Sequence, residues 1–394
     1  MKISEIDSEL DSLKAKNAFR KVTDYRMESA TDCVDKNGKK YIVFSSNNYL
    51  GLTHDSRVVK TAEDCEKFGT GSTGARLTSG AGFELSEFEE NIAAFKGTES
   101  ALVFNTGYMT NLGVLYALAN KNDVIFSDEL NHASIVDGCR ISRAKVVIFK
   151  HSDMKDLERL LSETEISEEG QRFIVTDGVF SMDGDIAKLP ELVALKEKYN
   201  ACLIVDDAHS LGVIGKQGGG TADFYGIEPS KVDIQIGTMS KALGAEGGYA
   251  ASSKKIIDFL KNKSRPFIFS TSLPPSVAKA AQTSLEILKT EGKTLLSKLD
   301  SNTKLMRELL KDALSNSEMK IIDGITPIIP IVIGDSKKAL DFAEQCRNEG
   351  ILLCAIRPPS VPEGTSRIRL TVTAAHSEEE IKKAVEIIKK VVQK

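Results

Sequence analysis

Ala201-Cys202-Leu203-Ile204-Val205-Asp206-Asp207-Ala208-His209 is the stretch on which the fold turns. Five apolar residues run without interruption and end on two aspartates. A strand covered on both faces reads this way, because helices on either side of a parallel sheet leave it no solvent face. Working outward, the same kind of run occurs at 172–177 (RFIVTD) and 233–237 (DIQIG). Further out lie 101–104 (ALVF), 123–126 (DVIF) and 145–149 (KVVIF). Stretches of helical period at 84–95, 131–141, 153–162 and 188–199 fall among them. Strands alternating with helices predict an α/β architecture with a large, mainly parallel sheet between helices.

The pattern changes after Pro274-Pro275. A long helical region over 276–314 precedes strand-like segments at 319–322, 328–333, 352–356 and 367–373. Helices are expected at 336–349 and 377–392, which makes a smaller C-terminal α+β domain. At the other end, Ile3, Ile6, Leu10 and Leu13 recur at helical spacing between charges, predicting an amphipathic N-terminal helix or arm. A strand follows at 40–44. The expected division is 1–45 for the arm, 46–275 for the large domain and 276–394 for the small one.

Composition limits the function. In 394 residues the apolar fraction is 41%, the charged fraction 27% and the formal net charge −4. A mildly acidic chain lacks the basic face that nucleic-acid or membrane-surface binding requires, so neither is expected. The cysteines Cys33, Cys65, Cys139, Cys202, Cys346 and Cys354 form no CxxC pair. They read as reduced structural thiols, and no metal site is expected. The N-terminus is too polar for a secretory signal, and no apolar run reaches the ~18 residues of a membrane span. A cytoplasmic location is expected.

Two glycine-rich runs are decoys. Gly69-Thr70-Gly71-Ser72-Thr73-Gly74 fits GxGxxG, but it follows a helical stretch rather than a strand, so it fails the context test for a dinucleotide site. Gly215–Gly220 lacks the Lys-Ser/Thr of a phosphate loop and reads as a surface turn. The informative segment is Thr238-Met239-Ser240-Lys241-Ala242-Leu243-Gly244, directly after the strand at 233–237. Hydroxyls beside a lysine at a strand end can hold a phosphate next to an amine. Alone, Lys241 could be a surface lysine in a turn, Asp206 a helix N-cap (a role Asp207 could also fill) and His209 a core histidine. Taken together they suit a cofactor site, because ligands gather at strand ends in α/β sheets. An aspartate beside a pyridine nitrogen keeps it protonated, and a protonated ring is the stronger electron sink.

At these residues the chain resembles fold-type I pyridoxal-phosphate enzymes and, within them, the α-oxoamine synthases of the class-II aminotransferase group. The resemblance runs from about Arg20 to His376. It includes Phe44-Ser45-Ser46-Asn47-Asn48-Tyr49-Leu50-Gly51-Leu52, Asn131-His132-Ala133-Ser134, the segment 177–185 (DGVFSMDGD), Val205–His209 and Phe269-Ser270-Thr271-Ser272-Leu273-Pro274-Pro275. It implies pyridoxal 5′-phosphate held by Lys241 as a Schiff base, with Asp206 on the pyridine nitrogen. His132 would stack on the ring, and His209 and Ser181 would lie around the phenolic oxygen. Gly107, Tyr108 and Thr238 would bind the phosphate. For Gly107 and Tyr108 there is also a physical basis, since 107–118 reads as a helix and a helix N-terminus attracts phosphate. Ser270 and Thr271 would reach the phosphate from a second subunit, implying a homodimer with the active site at the subunit interface.

Members of that family join a small amino acid to an acyl thioester with loss of carbon dioxide. The segment Ala355-Ile356-Arg357-Pro358-Pro359-Ser360-Val361-Pro362, followed by Thr365-Ser366-Arg367-Ile368-Arg369-Leu370-Thr371, implies L-alanine and a pimeloyl thioester, carried on coenzyme A or an acyl carrier protein. Glycine with an acetyl thioester is the alternative. Arg369 would hold the amino-acid carboxylate through its planar fork. Arg20, Asn47, His132 and Ser360 match substrate-contacting positions. In the strand pattern alone, Arg367 and Arg369 share one face, which reads as an outward one. Two positions depart from many relatives: Leu85 replaces a histidine and Gly219 an arginine.

Overall fold

The structure is a computed structural model and describes residues 2–63 and 65–393. Seven strands form the large sheet: β1 (Ser100–Phe104), β2 (Val124–Asp128), β3 (Lys145–Phe149), β4 (Arg172–Asp177), β5 (Ala201–Asp206), β6 (Ile234–Thr238) and β7 (Gly248–Ser252). Their order is β1-β7-β6-β5-β4-β2-β3. From β3 to β6 all neighbours pair in parallel, and β7 is antiparallel to β1 and β6.

The period of two along β5 explains its unbroken apolar run. Leu203 and Val205 enter one core layer with Phe126, Phe149 and Leu192. Ile204 enters the opposite layer with Leu115, Ile135 and Ile236. Both faces are therefore dry. Helices at Phe83–Lys96, Gly107–Leu118, Ala133–Ser142, Met154–Glu163 and Leu189–Tyr199 follow the predicted stretches closely.

Strand β7 was not anticipated. Gly248-Tyr249-Ala250-Ala251-Ser252 lacks the β-branched residues that mark strands. Close packing requires small side chains there: a Cβ on Gly248 would lie 2.5 Å from the Gly107 backbone nitrogen.

The chain divides into two compact units. One comprises Leu50–Ser181 and Asp185–Ser297, and the other Met1–Tyr49, Met182–Gly184 and Lys298–Lys394. The sequence placed a boundary near 275, where the helix Pro275–Ala313 begins. The boundary between the units falls inside that helix, because a continuous helix can change packing partners without a break in its own pattern. The N-terminal segment likewise groups with the C-terminal residues. The second unit has an antiparallel sheet of Lys320–Ile321, Ile328–Gly334, Ser366–Thr371 and Cys354–Ile356 in that order. The helices Ser336–Asn348 and Glu378–Val392 contribute Phe342, Ile381 and Ile388 to its core beside Ile329, Ile368 and Leu370. The N-terminal helix Ile6–Ala15 forms as expected, yet buries none of its residues in this chain. Five cysteines are free thiols, and Cys65 lies outside the residues whose side chains are described. Among the described residues, no helix is long and apolar enough to cross a membrane.

His376 locks the core of the second unit. Its ring stacks on Phe44 at 4.2 Å. Nε2 donates to the Val43 carbonyl at 3.1 Å, and Nδ1 accepts from the Thr373 amide at 3.0 Å. The Nδ1 contact needs the neutral ring, and burial pushes its pKa down to about 4, against the Val43 bond, which favours the charged form. A depressed pKa adds stability that is complete above the unfolded value near 6.5 and disappears as pH falls through 4. The gap corresponds to about 3 kcal/mol at 1.36 kcal/mol per unit. We expect His376→Gln to flatten the loss of stability between pH 6.5 and 4 in denaturant titrations. An unchanged slope would contradict this account.

Candidate active site

The carboxyl ends of β4, β5 and β6 assemble the site. Asp177 and Asp206 are the last residues of β4 and β5 and sit in register with each other. Thr238 ends β6, and Lys241 follows three residues later. Lys241 Nζ lies 2.9 Å from His209 Nε2. Asp206 is buried, and its carboxylate accepts from the Ala208 amide at 2.8 Å and from Asn111 Nδ2 at 2.6 Å. The Asp206-Asp207 pair begins no helix. Asp207 instead makes a buried ion pair with Lys96 at 2.7 Å, and Lys96 also donates to the Gly219 carbonyl. Asp207 further accepts from the Thr221 amide at 3.1 Å. Removing one partner of such a pair costs roughly 3–5 kcal/mol, so the turn after β5 is firmly anchored.

His132 is the N-cap of the helix Ala133–Ser142. Its Nδ1 accepts from the Ser134 amide at 3.2 Å and lies 2.7 Å from Ser134 Oγ. A backbone amide can only donate, so Nδ1 is the acceptor and the neutral ring carries its proton on Nε2. Although part of the residue remains exposed, burial of the ring holds its pKa below the usual histidine range. Lys241 pushes the same way and Asp206 opposes. The His132 amide donates to Asp177 at 2.7 Å. Burial raises the Asp177 carboxyl well above the ordinary range, and the charge of Asp206 adds to the shift.

The remaining expected cofactor residues border these. Thr106 caps the helix Gly107–Leu118 by accepting from the Met109 amide at 3.0 Å. A Cβ on Gly107 would lie 3.2 Å from that of Thr238, so glycine lets the helix start close against the end of β6. Thr238 Oγ1 is 2.7 Å from Ser240 Oγ. Tyr108 is edge-on to His132 at 6.4 Å, and its hydroxyl donates to Asp137.

Ser181 sits in a turn closed by the bridge between Val179 and Ile186. His151 braces that turn: its two ring nitrogens lie 2.9 Å from Asp128 and 2.9 Å from Asp185, and Phe180 packs edge-on at 4.4 Å. Burial opposes the charged ring, but the two carboxylates outweigh it and raise its pKa to about 10. Thr271 pairs with Ala75, and its carbonyl accepts from Asn105 Nδ2 at 2.7 Å, while neighbouring Phe269 is 69% exposed. The decoy at Gly69–Gly74 is irregular chain after a helical turn, hydrogen-bonded through the Gly74 carbonyl to the Ser272 amide.

In the second unit, Arg369 is buried rather than outward-facing. It donates to Thr371 Oγ1 at 2.9 Å and to the Tyr49 hydroxyl at 3.4 Å. Tyr49 in turn donates to Asn47 Oδ1 at 3.3 Å, so Arg369 and Asn47 are joined through one phenol. Arg367 is also buried and pairs with Asp183 at 2.5 Å. Arg20 and Ser360 are exposed, and Arg20 is close enough to Arg357 for its charge to lower that guanidinium's pKa. Leu85, at the first departure, is fully buried.

A family model described as aminotransferase class I and II matches residues 39–388. The chain belongs to the class I and II aminotransferase family. Among its relatives, the 8-amino-7-oxononanoate synthase of Lysinibacillus sphaericus is 45% identical over 97% of this chain and 96% of its own length. A serine palmitoyltransferase from S. paucimobilis, solved with a bound PLP-myriocin aldimine, has a TM-score of 0.91 at 32% identity. It covers 98% of this chain and 96% of its own. The 8-amino-7-oxononanoate synthase of Francisella tularensis has a TM-score of 0.75 at 28% identity, covering 90% and 98%. The architecture is fold-type I, and the cofactor of this family member is pyridoxal 5′-phosphate.

The residues present suit that cofactor. Lys241 supplies an amine, and Asp206 supplies a buried carboxylate already held by two donors. The first amides of 107–118 have no partner within the helix and suit a phosphate, next to the Thr238 hydroxyl against which Gly107 packs. Asn111, Ser134, Asp177 and Lys96 were not singled out from sequence. A buried Asn111 in the largely apolar Gly107–Leu118 helix is the clearest signal, since a buried amide needs a partner.

Proposed function

We propose that this chain carries out the 8-amino-7-oxononanoate synthase reaction, condensing L-alanine with a pimeloyl thioester and releasing carbon dioxide and the thiol carrier, in biotin biosynthesis. The supporting observation is 45% identity over nearly the full length of a relative named for that reaction. When bound, pyridoxal phosphate withdraws electrons from the amino acid's α-carbon and so permits bond formation to an acyl carbon there.

The chain's own residues do the rest. Lys241 would hold the cofactor through its Nζ and, as a free amine, would take the α-proton of alanine. Asp206 keeps the pyridine nitrogen protonated, an opposite charge favouring the charged form. His209 and Ser181 border the ring's oxygen side. His132 would lie over the cofactor and would offer its Nε2 proton to the acyl carbonyl, a donor that strengthens as negative charge develops. Gly107, Tyr108 and Thr238 hold the phosphate. Arg369 takes the alanine carboxylate, with Arg20, Asn47 and Ser360 as further substrate contacts.

The protein acts as a cytoplasmic homodimer in this reading, with Ser270 and Thr271 reaching the phosphate of a second copy. The exposure of Phe269, Leu77 and Phe83, at 69%, 59% and 91%, supports a covered face there. The deciding assay measures carbon dioxide release with alanine, glycine and serine, each against pimeloyl and acetyl thioesters. The pimeloyl group is offered on coenzyme A and on acyl carrier protein. Alanine with a pimeloyl thioester should give the highest kcat/KM. A preference for glycine with acetyl-CoA would replace the proposal with the glycine C-acetyltransferase reaction.

A further inference from the structure

One amide connects the two sides of the site. Asn111 lies one turn into the helix Gly107–Leu118 and is 1% exposed. Its Nδ2 donates to Asp206 Oδ2 at 2.6 Å and to Ser134 Oγ at 2.9 Å. The carboxylate fixes the orientation of this amide, because the opposite rotamer would set Oδ1 against an acceptor-only oxygen. Ser134 Oγ, occupied as an acceptor by Asn111, has its own proton left for His132 Nδ1 at 2.7 Å. The direction of donation therefore runs from Asn111 through Ser134 to His132, and separately from Asn111 to Asp206. Asn111 Oδ1 is buried with no hydrogen-bond partner. A buried amide that leaves its acceptor unsatisfied but uses both donor protons is placed for those two bonds.

We propose that Asn111 is a positioning residue for the reaction: its side-chain amide fixes the Asp206 carboxylate and, through Ser134, the His132 ring, so that both keep one mutual geometry. The inference rests on the proposed pyridoxal-phosphate chemistry. Its physical content is that Asp206, buried against Asp177, needs donors to remain a directed carboxylate. The Ala208 amide donates to one oxygen and Asn111 to the other.

The test is a double-mutant cycle on the full-length protein, reading the dissociation constant of pyridoxal 5′-phosphate from its absorbance change on binding. Asn111→Leu should weaken binding about tenfold, equivalent to about 1.4 kcal/mol. Because that loss acts through Asp206, Asn111→Leu added to Asp206→Asn should weaken binding no more than about twofold beyond Asp206→Asn alone. Multiplicative losses in the double variant, or unchanged binding in Asn111→Leu, would overturn the proposal. Asn111→Asp keeps the native shape, so it separates this role from folding. With an unchanged circular dichroism spectrum it should lose at least as much affinity as Asn111→Leu, since it sets a second carboxyl against Asp206. Retained affinity in folded Asn111→Asp would also refute the idea. If the wild-type chain fails to bind pyridoxal phosphate, the functional reading itself is wrong, an outcome distinct from a wild type that binds and an Asn111 cycle that is additive.

Discussion

Lys241→Ala is expected to abolish turnover and to remove the visible absorbance band of the lysine–cofactor link. The expected loss is at least about 10⁴-fold, the upper end of what a single general base contributes, because in the proposed reaction the same amine also forms the covalent attachment. No other amine described near the strand ends can take over. Lys96 is buried in its pair with Asp207 and donates to the Gly219 carbonyl. His209, 2.9 Å from Lys241 Nζ, has an imidazole and cannot form the same link. The variant should still bind pyridoxal phosphate non-covalently, because the proposed phosphate and pyridine contacts come from other residues. Three measurements check this: steady-state carbon dioxide release, the absorbance spectrum, and borohydride reduction, which should fix cofactor to wild type and not to the variant. An active variant that remained yellow would end the assignment of Lys241.

What the sequence disclosed and what it hid follow different physics. The apolar runs at β2, β4, β5 and β6 were legible because strands buried on both faces have no choice of residue type, whereas β3 is an edge strand with Ile148 exposed. Lys241, Asp206 and His209 could be placed at strand ends from that pattern, and the structure brings Lys241 and His209 within hydrogen-bond distance. Strand β7 was hidden because it has no β-branched residue and its first position, Gly248, admits only glycine against the Gly107 backbone. Arg367 and Arg369 looked outward by alternation. Arg367 is instead paired with Asp183, and Arg369 donates to the hydroxyls of Thr371 and Tyr49, contacts that alternation along one strand does not reveal. The Asn111–Ser134–His132 relay and the Lys96–Asp207 pair were hidden because their partners lie on separate elements. A polar residue in an apolar helix announces that it has a partner, but only the fold names it.

Asp206→Asn should lower kcat/KM by roughly 10²- to 10⁴-fold while the protein remains folded, the range expected when a group that stabilises developing charge is lost. The side chain keeps its volume, so the core layers around β5 are undisturbed. Exchanging a buried carboxylate for an amide also removes a desolvated charge, which limits the cost in stability to about 1–3 kcal/mol. The loss falls on function. The new amide presents at most one acceptor, and Asn111 Nδ2 and the Ala208 amide compete for it. A neutral side chain no longer favours a protonated pyridine, so electrons leaving the α-carbon have a weaker sink. Asp177 cannot substitute. It already accepts from the His132 amide at 2.7 Å, and burial favours its protonated form. Steady-state kinetics with alanine and a pimeloyl thioester, beside a thermal melt of the same preparation, measure both halves of this expectation. Near-normal kcat/KM in a folded Asp206→Asn protein would remove Asp206 from the pyridine nitrogen, and collapse of the fold would show that its main task is structural.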